Sequence, residues 1–352
     1  MPFTAAQIQN IANAALDFYI EGGALDQSVQ DKPLLNALMK RTKTFPGGKE
    51  NISIPLKGGR GKDRGVSLQG YEHDDTVGYS NPANIKRVVF PWKEIHSGIQ
   101  FTGTELKKDG ISVVDSTTGA KTVEHSQREL TALTGILDDK LDSMAKAWSE
   151  LFNEMLWLDG TQDSKLIAGV MSMVTQSPAV GSTGGLDRAQ ASYWRNDALV
   201  GANKIVSSVA NQTLTKALRS RVRQLHRYGG KPSLVLCGST ALDKLEAEVA
   251  EKGIYTQQGF VKGDKNDIGM ATISMRGVGD FQYDPTLDDL GMQDFIYMLD
   301  PSHLVLRVME GEDKKTHAPA RPYNQYTYYR AMTWTGGLTV DQLNCHGVYQ
   351  VA

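Results

Sequence analysis

Two cysteines in 352 residues leave little room for sulfur chemistry. Cys237 and Cys345 each stand in a stretch that reads as a buried strand, and neither has a second cysteine at ligand spacing. That argues against a disulfide framework and against a thiolate metal site, and it suits a reducing compartment. Long apolar runs are missing as well, so no segment reaches the length of a membrane span. The opening Met-Pro-Phe-Thr-Ala-Ala-Gln has no basic stretch followed by an apolar core, the pattern of a secretory signal. An excess of one charge is also lacking. With 38 Lys+Arg against 40 Asp+Glu the formal net charge is -2, which excludes a surface made to grip phosphate everywhere but leaves room for a local basic patch. No internal repeat and no low-complexity tract is visible. What is plentiful is glycine, 35 residues, which predicts many turns and surface-reaching segments.

Catalytic motifs fail one by one. Gly-Gly-Arg-Gly-Lys-Asp-Arg-Gly (58–65) invites comparison with a phosphate-binding loop, but that motif needs Ser or Thr after its lysine and a glycine five residues before Gly61. Here Asp63 follows Lys62, and the earlier position is Leu56. Glu72-His73-Asp74-Asp75 crowds possible metal ligands, yet neighbours in an extended segment point to opposite sides and no second fixed pair stands nearby. The seven histidines are scattered, with no His-x-x-x-His pair and no Gly-x-Ser-x-Gly elbow. No catalytic, cofactor-binding or metal-ligating residue is therefore expected.

The periodicities do predict structure. A short helix is expected from Ala5 to Phe18 and a second from Pro33 to Leu38, with proline at its start. Such an arm has too little apolar surface for a core of its own and must lie on something else. Ile52, Ile54 and Leu56 alternate as in a strand, and residues 85–92 return as another. Pro55 and Pro91 suit exposed edges. Together they predict an extended hairpin around a basic, glycine-rich tip at residues 57–65. A two-stranded hairpin is marginal alone in water, so a neighbouring molecule is expected to support it.

A long helix is predicted next. Leu130, Leu133, Ile136, Leu137, Leu141, Met144, Ala145, Trp148, Leu151, Phe152, Met155 and Leu156 recur at steps of three and four. Ser126 and Glu129 have capping-box spacing, and Gly160 is the expected stop. The doubled positions make a stripe wide enough to pack on a sheet. From about Asn211 a compact α+β unit is expected, with Thr213 capping a helix that ends at Gly229-Gly230. Further expected elements are a strand over 233–237, a helix over 240–251, and strands over 271–275, 295–299 and 303–308. The strand from Tyr326 to Trp334 is expected to turn at Gly336-Gly337 and resume at Leu338. There is no βαβα series, so a doubly wound parallel sheet is not expected. Lys216, Arg219, Arg221, Arg223 and Arg227 make one helix strongly basic. Its plain reading is a solvated face. The sharper one is contact with acidic surface on another subunit, for which Asp284, Asp288, Asp289, Glu310, Glu312 and Asp313 are candidates, with direct DNA contact ranked behind.

This order of arm, two-stranded loop, very long helix, α+β unit and returning strand resembles the major capsid proteins of tailed bacteriophages, of the Hong Kong phage type. The likeness spans essentially the whole chain. Local echoes are Gly185-Leu-Asp-Arg-Ala-Gln-Ala-Ser-Tyr-Trp-Arg195, Tyr297-Met-Leu-Asp-Pro-Ser-His-Leu304 and the Thr335-Gly-Gly-Leu338 segment. The resemblance implies an α+β capsid fold in parts. These are an N-terminal arm (1–47), an extended E-loop (48–95), and a P domain (96–204) with its spine helix near 126–158. An A domain (205–325) and returning C-terminal strands (326–352) complete it. It implies a structural, non-enzymatic subunit that assembles with itself into pentamers and hexamers, in the host cytoplasm, as an icosahedral virion head around double-stranded DNA. It further implies a separate scaffolding protein, a portal, a decoration protein as an optional addition, and non-specific DNA contact, with no cofactor and no membrane. Residues expected at contacts between subunits are Lys57, Arg60, Lys62, Arg64, Arg219, Arg223 and Arg227. Some members join an E-loop lysine covalently to an asparagine. Lys57 and Lys62 lie in that region, but no matching asparagine or glutamate can be named, so that chemistry is not carried over. An encapsulin-like nanocompartment shell and a DNA-binding or packaging protein are the competing readings.

Overall fold

The computed structural model describes residues 3–4, 31–58, 68–79, 86–102, 104, 113–114, 127–251, 273, 275, 277–317 and 327–352. The helix expected over residues 5–18, the capping residue Ser126 and most of the basic tip, with Arg60, Lys62 and Arg64, lie outside them. Apart from the two-residue strands Phe3–Thr4 and Val113–Val114, which pair in parallel, the first described elements are helix α1 (Pro33–Met39), strand β1 (Lys43–Phe45), the paired strands β2 (Asn51–Leu56) and β3 (Lys86–Pro91), and β4 (Lys93–Thr102). The long helix α2 (Gln127–Trp157) follows, then α3 (Val170–Met173), β5 (Asp197–Leu199), α4 (Thr213–Arg227), β6 (Leu234–Cys237), α5 (Ser239–Glu251) and β7 (Phe281–Tyr283). Helix α6 (Pro285–Asp289), β8 (Phe295–Leu299), β9 (Leu304–Met309), β10 (Lys315–His317), β11 (Thr327–Val340) and β12 (Gly347–Gln350) complete it.

At 1.5 Å per residue, the 31 residues of α2 reach about 46 Å. Its described inner face carries Met144, Trp148, Phe152, Met155 and Leu156, all buried. Trp148 stacks on Phe152 at 4.5 Å, and Phe152 meets Trp334 of β11 edge-on at 5.0 Å, so the described part of the stripe packs on a sheet, while the side chains of Leu130, Leu133, Ile136, Leu137 and Leu141 lie outside the described ones. Leu151 does not join it: at 65% exposure it faces solvent. Helix α1 lies on the same core through Leu34, Leu35 and Leu38, and Asn153 Oδ1 accepts from Leu35 N at 3.3 Å.

The sheet under α2 is built around β11, which pairs along its length with β4, from Thr327↔Thr102 to Gly336↔Lys93. Its other edge takes β9, with Leu304↔Val340 and Val308↔Gly336, and then β10; β1 joins β9 in parallel. The turn expected at Gly336-Gly337 is absent, and β11 runs straight through both glycines. A Cβ on Gly336 would stand 2.3 Å from the Arg307 carbonyl oxygen and 2.5 Å from the Trp334 ring. These glycines serve close approach rather than chain reversal.

The second sheet has the order β7-β6-β8-β12-β5, parallel at both ends and antiparallel in the middle. Alternate residues feed two different cores. Val235, Cys237, Ile296, Met298 and Tyr349 face α4 and α5, whereas Leu234, Leu236, Tyr297, Leu299 and Val348 face the core shared with α2. Burial on both faces explains the short unbroken apolar runs of β6 and β8. The last strand, β12, therefore ties the chain's end into the middle of this unit. Of the strand expected over 271–275, only Ile273 and Met275 are described, and neither is in a strand. Cys345 is buried in a turn before β12 rather than in a strand.

The β2–β3 hairpin pairs Asn51↔Pro91 through Leu56↔Lys86, with both prolines on two-stranded edges as expected. Its stem does not wait for a neighbour. Ile52, Val88 and Phe90 are buried within its own chain, and Val89 N donates to the Gly184 carbonyl at 2.9 Å. The expected need for support came from the marginal stability of an isolated two-stranded hairpin, but three buried stem residues seat the stem on its own chain.

Candidate functional site

The expected cap of α4 is replaced by something the sequence reading missed. Thr213 spends its hydroxyl on the Val206 carbonyl at 2.6 Å, and Gln212 precedes the helix in the left-handed region without a side-chain cap. The N-terminal amides of Leu214 and Thr215 instead donate to the carboxylate of Glu248, from α5, both at 3.0 Å. Ser207 Oγ, Ser208 N and the Thr215 hydroxyl add three more bonds. Burial alone would raise the Glu248 pKa, but bonds from Thr215, Leu214 and Ser207 outweigh it and hold the group below its ordinary value. One carboxylate thus fixes α4, and with it the basic face. The signal was present: Ala241, Leu245 and Glu248 share one side of α5, so a fully buried acid sat on an apolar stripe.

On α4, Leu214, Leu218, Val222 and Leu225 are buried, while Lys216, Arg219, Arg223 and Arg227 form an exposed row at steps of three and four. Arg221 leaves the row, reaching Asp197 Oδ1 at 3.5 Å. A partly exposed pair of that length contributes under ~1 kcal/mol, so it orients more than it stabilises.

The end of α4 meets the hairpin stem across a groove of about 760 Å³. Lys57 lines it from the stem and Arg227 from the helix, so two predicted contact residues 170 positions apart share one wall-to-wall space. Arg195 lines it too, and sequence reasoning did not single it out. Its placement comes from the loop behind: Arg195 Nε donates to the Arg188 carbonyl at 2.6 Å and Nη2 to that of Ala189 at 2.7 Å. Arg188 is itself buried, donating to the Met173 carbonyl and to the hydroxyls of Thr175 and Thr183. Burial lowers its pKa, and these oxygens disperse its charge. Gly58 lies flat against Tyr193, where a Cβ would come within 1.9 Å of the ring, which seats Lys57 beside the groove.

The candidate acids sort differently. Asp284 is fully buried, accepting from Trp157 Nε1 and Thr286 N, both at 3.0 Å, so it cannot meet another subunit. Burial raises its pKa. Asp288 takes Tyr283 OH at 2.8 Å and Ser239 N at 2.9 Å. Glu312 pairs with Lys315. Asp289, Glu310 and Asp313 remain exposed.

Among the described residues, Asp300, His303 and Cys345 are the one trio whose donor atoms gather within 4.8 Å. Each is already engaged. Asp300 accepts from Lys231 N at 2.8 Å and Ser302 N at 2.9 Å, His303 Nδ1 meets Asp341 at 2.7 Å, and Cys345 Sγ donates to the Gln342 carbonyl. Burial, with Asp300 and Asp341 beside it, pushes the Cys345 thiol up, away from the thiolate a metal or a nucleophilic reaction needs. Buried His346, pushed down to about 4, accepts from Asp300 N at 3.1 Å. The trio locks the 300–303 turn to the turn before β12.

No protein-family model and no curated protein matches the chain. Solved structures do. A chain of the cyanophage A-1(L) capsid asymmetric unit superposes with a TM-score of 0.64 at 12% identity, covering 92% of this chain and 93% of that one. A chain of Mycobacterium phage Bobi gives 0.52 at 10%, over 92% of each chain. The capsid of Myoviridae phage XM1 gives 0.51 at 10%, over 93% and 94%. The chain therefore has the capsid fold of tailed phages, at identities where sequence alone carries no relationship.

Proposed function

We propose that this chain is a major capsid subunit, which assembles with its own copies into pentamers and hexamers of an icosahedral phage head around double-stranded DNA. The observation that carries the reading is the match of 92% of the chain to a chain of a phage capsid asymmetric unit at a TM-score of 0.64. The role is contact rather than catalysis. In this reading residues 1–47 are the arm, 48–95 the E-loop, 96–204 the P domain, 205–325 the A domain and 326–352 the returning strands. A scaffolding protein and a portal complete the head in the host cytoplasm, a decoration protein is an optional addition, and packaged DNA is met without sequence preference.

The physics fits such a subunit. A net charge of -2 keeps repulsion among many copies small and leaves registry to local complementary patches. The exposed row of Lys216, Arg219, Arg223 and Arg227 is held rigidly by Glu248, as a docking face needs. Electron microscopy of the purified, concentrated protein, with and without scaffold, tests it. Closed shells or capsomer rings are expected, and persistent monomers under both conditions would overturn it.

A further inference from the structure

We propose that the groove between the hairpin stem and the end of α4 receives the acidic turn Glu310–Asp313 of a second copy, an inference that rests on the shell reading and names the contact within it. The groove holds unspent positive charge. Lys57 and Arg227 are exposed, and no carboxylate of the described residues pairs with either. The two acids in its lining are committed, Asp197 to Arg221 and the Tyr349 hydroxyl, Asp341 to His303. Arg195 adds a third cation fixed by backbone carbonyls.

The turn is the matching half. Glu310 and Asp313 are exposed, and no described residue pairs with either. Its backbone is set before any partner arrives. Gly311 has φ +75 and Lys314 φ +48, Glu310 N donates to Phe45, Glu312 N to Met309, and Thr335 N to Glu312. A rigid turn loses little freedom on docking, so its two carboxylates convert more of their attraction into binding. None of these acids lines the groove of its own chain, so in this contact the turn is supplied by another copy. A head-to-tail contact of this kind, groove on one copy and turn on the next, is the type that generates rings.

A polyphosphate suits the groove less well. Asp197 and Asp341 stand in its wall, where they repel a continuous run of negative charge but tolerate single carboxylates placed beside Lys57 and Arg227.

The test is a charge exchange in the full chain, read by sedimentation and microscopy. Lys57→Glu with Arg227→Glu is expected to cut assembly at least tenfold, and so is Glu310→Lys with Asp313→Lys. Mixing the two variants in equal amounts is expected to restore a substantial part of it, whereas Asp289→Lys, an exposed acid off the turn, restores none. Unchanged thermal midpoints keep misfolding apart from lost contact. Zero-length carbodiimide cross-linking of mixed isotope-labelled wild-type copies supplies a second readout, with Lys57 joined to Glu310 or Asp313 of the other copy. Wild-type shells with no such cross-link and no rescue would overturn the contact and leave the shell reading standing. So would groove variants that assemble normally but lose salt-sensitive retention on duplex DNA. A wild type that never assembles, and shows no cross-link, sinks both.

Discussion

Replacing Glu248 should loosen the α4–α5 pair more than any surface change. Its carboxylate accepts five bonds, two of them from the first amides of α4. Glu248→Ala removes the equivalent of a helix cap, about 1 kcal/mol, and leaves buried donors unmatched, which costs about 1–3 kcal/mol more. A total near 3 kcal/mol is expected. At this chain length each kcal/mol moves a two-state midpoint by roughly 2 °C, so a drop of about 6 °C should appear in thermal unfolding of the unassembled subunit. Glu248→Gln keeps one acceptor and turns an amide toward a donor, so about half that loss is expected. The sign of the pH dependence is fixed. Because the folded pKa lies below its ordinary value of 4.5, the contribution is full above that value and is lost as pH falls through the folded one. The gap between wild type and Glu248→Gln should therefore close on acidification. A variant within about 1 °C of wild type at pH 7, or a gap that widens in acid, refutes the argument.

Three further outcomes follow from the structure. Gly336→Ala places a Cβ 2.3 Å from the Arg307 carbonyl and should cost about 3 kcal/mol by denaturant titration, while Gly70→Ala, with nothing within 4 Å, should be neutral; equal effects would contradict the close-approach account. Cys237 and Cys345 are both fully buried, and burial raises both thiols, so a thiol reagent should label neither until denaturant is added; fast labelling of the native chain would contradict that burial. The His303 pKa is raised by its bond to Asp341, so that pair helps below the ordinary value and fades as pH rises through the raised one. Asp341→Asn should lower the His303 titration midpoint measured by NMR, with under ~1 kcal/mol change in stability because both groups are partly exposed.

The order of residues along the chain was enough to set the elements whose signal is periodic and local. The stripe of α2, the alternation of β2 and β3, the proline that opens α1 and the apolar runs of β6 and β8 all depend on which neighbours along the chain share a face. It also determined that Arg219, Arg223 and Arg227 lie on one side of a helix, since a step of four residues nearly closes a turn. Features whose meaning depends on a distant partner needed the packed molecule. Gly336 and Gly337 look like a turn until the carbonyls of Arg307 and Pro91, each from another strand, crowd them. Thr213 looks like a cap until a carboxylate 35 residues away takes the amides. Asp284 looks like a surface acid until Trp157 of the long helix claims it. Lys57, Arg195 and Arg227 share no pattern in the chain, and became one site because the hairpin stem folds back against Tyr193 at the end of α4. Periodicity tells a residue which way it faces; only the packed fold supplies what it faces.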